Sequence, residues 1–136
     1  MKPQVSVVTG EPVYCDVPPF HPDNCFPELP FNDISPTPNP AYCLVRRALS
    51  DLGLHREGFG TPGWNPFVNV IREGDTVVIK PNFVLHRNAS GGPLDAVVTQ
   101  PSVLRAVAMA GLTLLAAALG RPASTLRILS LAVTGL

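Results

Sequence analysis

Nine of the sixteen prolines in this chain fall between Pro12 and Pro40, and that crowding limits the possible folds more than any other feature of the sequence. Proline lacks the N–H that a helix interior or a central strand needs, and it pushes the residue before it toward extended backbone. Residues 11–40 are therefore expected to run as a long irregular segment wrapping a core built by the rest of the chain. Tyr14, Phe20, Phe26, Leu29 and Phe31 are the side chains available to anchor it, or alternatively to line a substrate cleft. His21, Asp23 and Cys25 alternate within it, which on an extended chain puts all three on one face. Pro22 interrupts that run and no fourth ligand accompanies it, so they read as surface turn residues rather than a metal site.

A chain of 136 residues fits one domain. Ten basic residues balance ten acidic ones and the isoelectric point lies near 6.8, so there is no electrostatic footprint for nucleic acid or an anionic membrane. Cys15, Cys25 and Cys43 are odd in number and lack C-x-x-C spacing, which indicates neither a disulfide framework nor a zinc or iron–sulfur site. The apolar run at residues 5–8 is too short for a signal-peptide core, so a reducing cytoplasm is the expected setting. Asn88-Ala-Ser90 matches a glycosylation acceptor, read as chance in that setting.

Candidate elements follow in order. Residues 5–9 suit a first strand ended by Gly10 and Pro12. Asn39 as cap and Pro40 at the first position open a helix whose Tyr42, Val45, Leu49 and Leu52 recur every three or four residues, with Gly53 ending it. Arg46 and Arg47 are assigned to its solvated face, and His55 receives no role beyond suiting the helix end. Trp64 is expected to plug the core, and a short helix over residues 66–72 to lead into Thr76-Val77-Val78-Ile79. That β-branched run follows the turn signal Glu73-Gly74-Asp75 and suits a strand covered on both faces. Strand, helix, strand, helix predicts an α/β fold: a partial, mostly parallel sheet with flanking helices and the long Pro-rich irregular N-terminal segment.

Pro81 should stop the central strand with Lys80 and Asn82 displayed at its carboxyl edge, where open α/β sheets bind ligands. The loop over residues 85–98 carries His86, Arg87, Asn88 and Ser90, and Gly91-Gly92-Pro93 gives it freedom followed by a rigid point. At about fourteen residues it exceeds the usual connection, and such loops are commonly functional or disordered. Thr99 is the expected N-cap of the next helix, with Pro101 in its first turn. Lys80, Asn82, Arg87, Gly91, Gly92 and Thr99 are thus the candidate ligand-binding residues, converging with the helix amides on a phosphate or carboxylate. His86 is the nearby group that titrates around neutrality and the weak candidate for catalysis; no nucleophile–base pair is evident.

From Ala96 to Leu136 there is no Asp or Glu, and residues 106–119 are apolar on every face. Fourteen residues at 1.5 Å each span about 21 Å, short of a bilayer core near 30 Å, so a buried helix is expected rather than a membrane span. Residues 126–133 are the expected third strand.

Val78-Ile-Lys-Pro-Asn82, Gly91-Gly92 and Thr99-Gln-Pro-Ser-Val-Leu-Arg-Ala-Val107 together resemble the family catalogued as domain of unknown function 362. The likeness covers residues 74–107, with Pro19-Phe-His-Pro22 and Gly60-Thr-Pro-Gly-Trp-Asn-Pro66 resembling a subgroup of it. The resemblance implies an α/β fold, site roles for Lys80, Asn82 and Thr99, and, in some members, an iron–sulfur cluster, which no cysteine cluster here would hold. Gln100 stands where the family usually shows histidine. Beyond Ala108 the likeness ends, so the expectation is a single, incomplete domain over residues 1–136 with an atypical apolar tail at 109–136, arising from a frame shift or similar event. The functional expectation is an anionic small molecule at the Lys-Pro-Asn motif; the alternative is a non-catalytic fragment or scaffold that self-associates or takes a partner chain.

Overall fold

A computed structural model describes residues 4–72, 75–83 and 85–119, with side chains as far as Gly111. Two α-helices, α1 (Ala41–Asp51) and α2 (Pro101–Leu119), pack on each other, and two single 3₁₀ turns occupy Arg56–Gly58 and Leu94–Ala96. No strand forms among the described residues, which overturns the expected α/β fold with its mostly parallel sheet. The core is the α1–α2 seam, where Tyr42 meets Ala106 and Met109, and Phe26, Leu29, Phe31 and Val45 pack around them.

The sheet fails at its central member. Residues 76–80 form no strand pairing among the described residues, and Val78 is 84 % exposed while Val77 and Ile79 are also open to solvent. A β-branched run sets a preference for extended backbone, but a strand exists only when a neighbour takes its N–H and C=O groups. Residues 5–8 fare the same way, with Val5 and Val7 exposed. The expected third strand at 126–133 lies outside the described residues.

α1 begins one residue later than the sequence suggests, with Pro40 in the cap position, and ends where Gly53 takes φ +78°, a left-handed turn that suits a residue without Cβ. Asn39 does not cap it. Its side chain is wholly buried and instead donates from Nδ2 to the carbonyl of His21 at 2.7 Å, while its backbone N–H donates to Asp23 Oδ2. Residues 66–71 form successive turns rather than the expected helix. Trp64 is buried as expected, edge-on to Phe59.

The proline-rich segment contains neither helix nor strand and is fixed by polar anchors as much as by its aromatics. The carbonyl of Cys15 accepts from Ser102 Oγ in the first turn of α2, and that of Phe20 accepts from Tyr42 Oη in α1. Glu28 pairs with Arg46, whose Nη2 lies 3.0 Å from Glu28 Oε2. Arg46 is therefore not on a solvated face: its guanidinium sits over the rings of Phe26, Phe59 and Trp64. The spacing held the clue, since Arg46 follows Tyr42 by four residues and so shares its side of the helix. Among the described residues no helix is long and apolar enough to cross a membrane.

Candidate functional site

The first turn of α2 is where the separate parts of the chain meet. Thr99 and Asn82 are joined twice: Asn82 N–H donates to Thr99 Oγ1 at 2.8 Å, and Thr99 N–H donates to Asn82 O at 2.9 Å. Thr99 is thus committed to Asn82 rather than to capping the helix, and Gln100 is the residue that immediately precedes it. Gln100 is buried and donates from Nε2 to the carbonyl of Asp95 at 3.2 Å. Ser102, also buried, reaches Cys15, and Arg105 donates from Nε to Tyr42 Oη at 2.9 Å. Four positions over seven residues therefore tie α2 to the 75–83 segment, the following loop, the proline-rich wrap and α1.

The loop between Asn82 and Thr99 is organised by Asn88. Its Oδ1 accepts from the N–H and the hydroxyl of Ser90, and its Nδ2 donates to Pro93 O at 3.0 Å. This Asx turn mimics a backbone turn with a side chain, and Gly91 at φ +77° completes the reversal. A Cβ on Gly92 would stand 3.0 Å from Asn88 Nδ2, so the second glycine keeps room for that amide. The glycine pair is thus explained by the turn itself.

Of the expected site residues, the structure brings Asn82 and Thr99 together directly. Lys80 lies two residues before Asn82 and is exposed; His86 and Arg87 are exposed in the loop. No Ser, Thr or Cys side chain among the described residues is hydrogen-bonded to His86. Reasoning from sequence missed Gln100 and Ser102 as tethers, and the available signal was a polar pair flanking Pro101 at the start of an otherwise apolar helix.

Cys15 is the buried thiol of the three free cysteines, with Ser35 Oγ at 3.3 Å from its sulfur and Thr37 Oγ1 donating to it at 3.4 Å. Burial pushes its pKa up, but the hydrogen bonds outweigh that and hold it below the ordinary thiol value. Tyr42 shifts the other way, raised by burial against the opposing charge of Arg105. His55, at φ +49°, accepts the N–H of Asn65 on Nδ1 and so closes the turn after α1. Among the described residues no group of three or more His, Cys, Asp or Glu is placed to hold a metal.

No family model matches the chain, and neither does any curated protein or solved structure.

Proposed function

We propose that the chain binds a small anion, a phosphate or carboxylate, at the start of α2, using Lys80, Asn82, Arg87 and the loop that joins them to Thr99. The supporting observation is the double hydrogen bond between Asn82 and Thr99, which holds the Lys80 segment against the helix start. Two residues of extended chain span about 7 Å, so Lys80 is kept within side-chain reach of that end. Lysine contributes a point charge and arginine a planar fork suited to an oxyanion, while the helix terminus adds about 0.3–1 kcal/mol. The surface is open, so weak binding is expected. The residues that resemble the domain-of-unknown-function 362 family coincide with this site, and membership of that family belongs to the same reading. Three free thiols support a reducing compartment.

A thermal-shift screen against phosphate, nucleotides, sugar phosphates and carboxylates tests it, with Lys80→Ala alongside. A ligand that raises the midpoint of the unmodified chain and not of the variant supports the site. No shift with any anion, or equal shifts in both proteins, defeats it.

The exposure of Val77, Val78 and Ile79 on a β-branched segment with no strand pairing among the described residues favours a second reading, a non-catalytic scaffold that takes a partner strand there. Light scattering over a concentration series, with Val78→Lys for comparison, separates the two.

A further inference from the structure

We propose that His55 is a proton-sensitive latch: its neutral imidazole holds the 55–65 loop shut beside Arg46, and its protonation releases that loop and Trp64 with it. Asn65 N–H donates to His55 Nδ1 at 2.9 Å. A donor facing Nδ1 requires that nitrogen to be bare, so the neutral ring carries its proton on Nε2. A protonated imidazole has an N–H on both nitrogens, and the Asn65 amide would then meet a second donor in place of its acceptor. The bond is thus open to one charge state only.

The ring is built into the loop. A Cβ on Gly58 would stand 2.6 Å from His55 Cε1 and 3.0 Å from each ring nitrogen, so the turn leaves that space to the imidazole. Gly58 N–H donates to the His55 carbonyl, the Gly58 carbonyl accepts from the N–H and the hydroxyl of Thr61, and Trp64 N–H donates to Thr61 O. Trp64 then lies edge-on to Phe59, with ring centroids 5.1 Å apart, and the Arg46 guanidinium stands 4.9 Å from the Phe59 ring and 5.4 Å from that of Trp64. These links are a run of short turns, and among the described residues the hydrogen bond that joins their two ends is the one from Asn65 to His55.

Two features of the closed loop favour its release. Trp64 is 1 % exposed, yet its indole Nε1 has no hydrogen-bond partner among the described residues, so closure leaves a buried donor unmet that water would satisfy on opening. His55 itself sits at φ +49°, a region that residues other than glycine enter uncommonly. The latch bond works against both. The ring is half-buried and so within reach of solvent protons. The ionisable groups on its own turn are Arg56 and Glu57, both exposed, and the 58–65 stretch that closes on it carries none. At the end of α1, Arg47 and Asp51 line a surface cavity together with Arg56 and Phe59. No ion pair to His55 forms among the described residues.

Trp64 is the single tryptophan of the chain, so its emission reports the loop directly. The emission maximum and acrylamide quenching are read on the full chain from about pH 8 down to about pH 5.5, above the range in which carboxylates ordinarily titrate. Far-UV circular dichroism follows α1 and α2 alongside. Expected for the unmodified chain is a reversible red shift and a roughly twofold or greater rise in quenching as the pH falls, at constant helical signal. His55→Asn places an Oδ1 acceptor where Nδ1 stands and tolerates left-handed backbone, so it should keep the blue, weakly quenched state throughout. His55→Gly suits the backbone and removes the acceptor, so it should be red-shifted and strongly quenched at both ends of the range. His21→Gln and His86→Gln should respond as the unmodified chain does.

An emission and quenching profile that stays flat in the unmodified chain would overturn the proposal. A His55→Asn chain that responds to pH as the unmodified one does would also overturn it, as would a His55→Gly chain that stays blue, or a response lost in His21→Gln or His86→Gln. Helical signal that falls in step with the tryptophan shift would overturn it too, since the whole chain would then be unfolding rather than one loop opening. Should His55→Gly fail to fold, the unmodified chain and His55→Asn decide the matter between them.

Discussion

Arg105 and Tyr42 lie 63 residues apart in sequence, yet Arg105 Nε donates to Tyr42 Oη at 2.9 Å across the α1–α2 seam. The same hydroxyl donates onward to the carbonyl of Phe20, so one phenol joins both helices to the proline-rich wrap. An apolar seam of alanine and methionine fills space without fixing direction; this relay fixes it.

Tyr42→Phe removes the relay and keeps the ring. The half-buried Arg105 then loses its acceptor, and the Phe20 carbonyl keeps only the longer bond from Asn39 Nδ2 at 3.4 Å, which together costs about 1 kcal/mol. Urea unfolding should show that loss, and the pair Tyr42→Phe with Arg105→Met should cost less than the sum of the two single changes.

The same phenol makes stability depend on pH at the alkaline end. Burial raises the pKa of Tyr42 in the fold above its unfolded value near 10, so the folded state holds the proton more tightly. Its contribution is full below that value and falls as pH rises through the folded pKa. Urea midpoints from pH 8 to 11 should fall more steeply for the unmodified chain than for Tyr42→Phe, with the exposed Tyr14 common to both.

Glu28→Gln leaves Arg46 charged among three aromatic rings with its carboxylate gone. The two side chains are 3 % and 13 % exposed, so little water can take over, and removal of one partner from so enclosed a pair costs about 3 kcal/mol. Thermal unfolding measures it. A double change of Glu28 to Leu and Arg46 to Met should recover part of the loss, because no charge is then stranded.

Cys25 and Cys43 are exposed and Cys15 is buried under Ser35 and Thr37. A thiol reagent such as dithionitrobenzoate should titrate two thiols promptly and the third only as the chain unfolds. The third should be absent from Cys15→Ser.

What the sequence made legible was local. α1 could be read from Tyr42, Val45, Leu49 and Leu52, and its end from Gly53; the irregular wrap followed from its prolines and the burial of Trp64 from its isolation among turn residues. The sheet was misread because Thr76-Val77-Val78-Ile79 states a backbone preference and not a neighbour. For Arg46 the i+4 spacing from Tyr42 showed its side of α1, but its partners, Glu28 and the rings of Phe26, Phe59 and Trp64, come from other segments and were not legible from that spacing. At the candidate site the meeting of Asn82 with Thr99 was foreseeable as two ends of one loop. The tether of Gln100 to Asp95 was not, since an amide can reach in many directions and burial alone selects among them.

The bond from Ser102 to Cys15 spans 87 residues. Contacts that distant carry a large loop-closure cost, repaid only once both ends are present. The wrap leaves the ribosome before α1 and α2, and its anchors lie in α1 and in the opening turn of α2, so it has no complete surface to settle on until both have emerged. A segment translated ahead of the helices thus acquires its shape after them, and a pause in translation before residue 102 would lengthen the time it spends exposed.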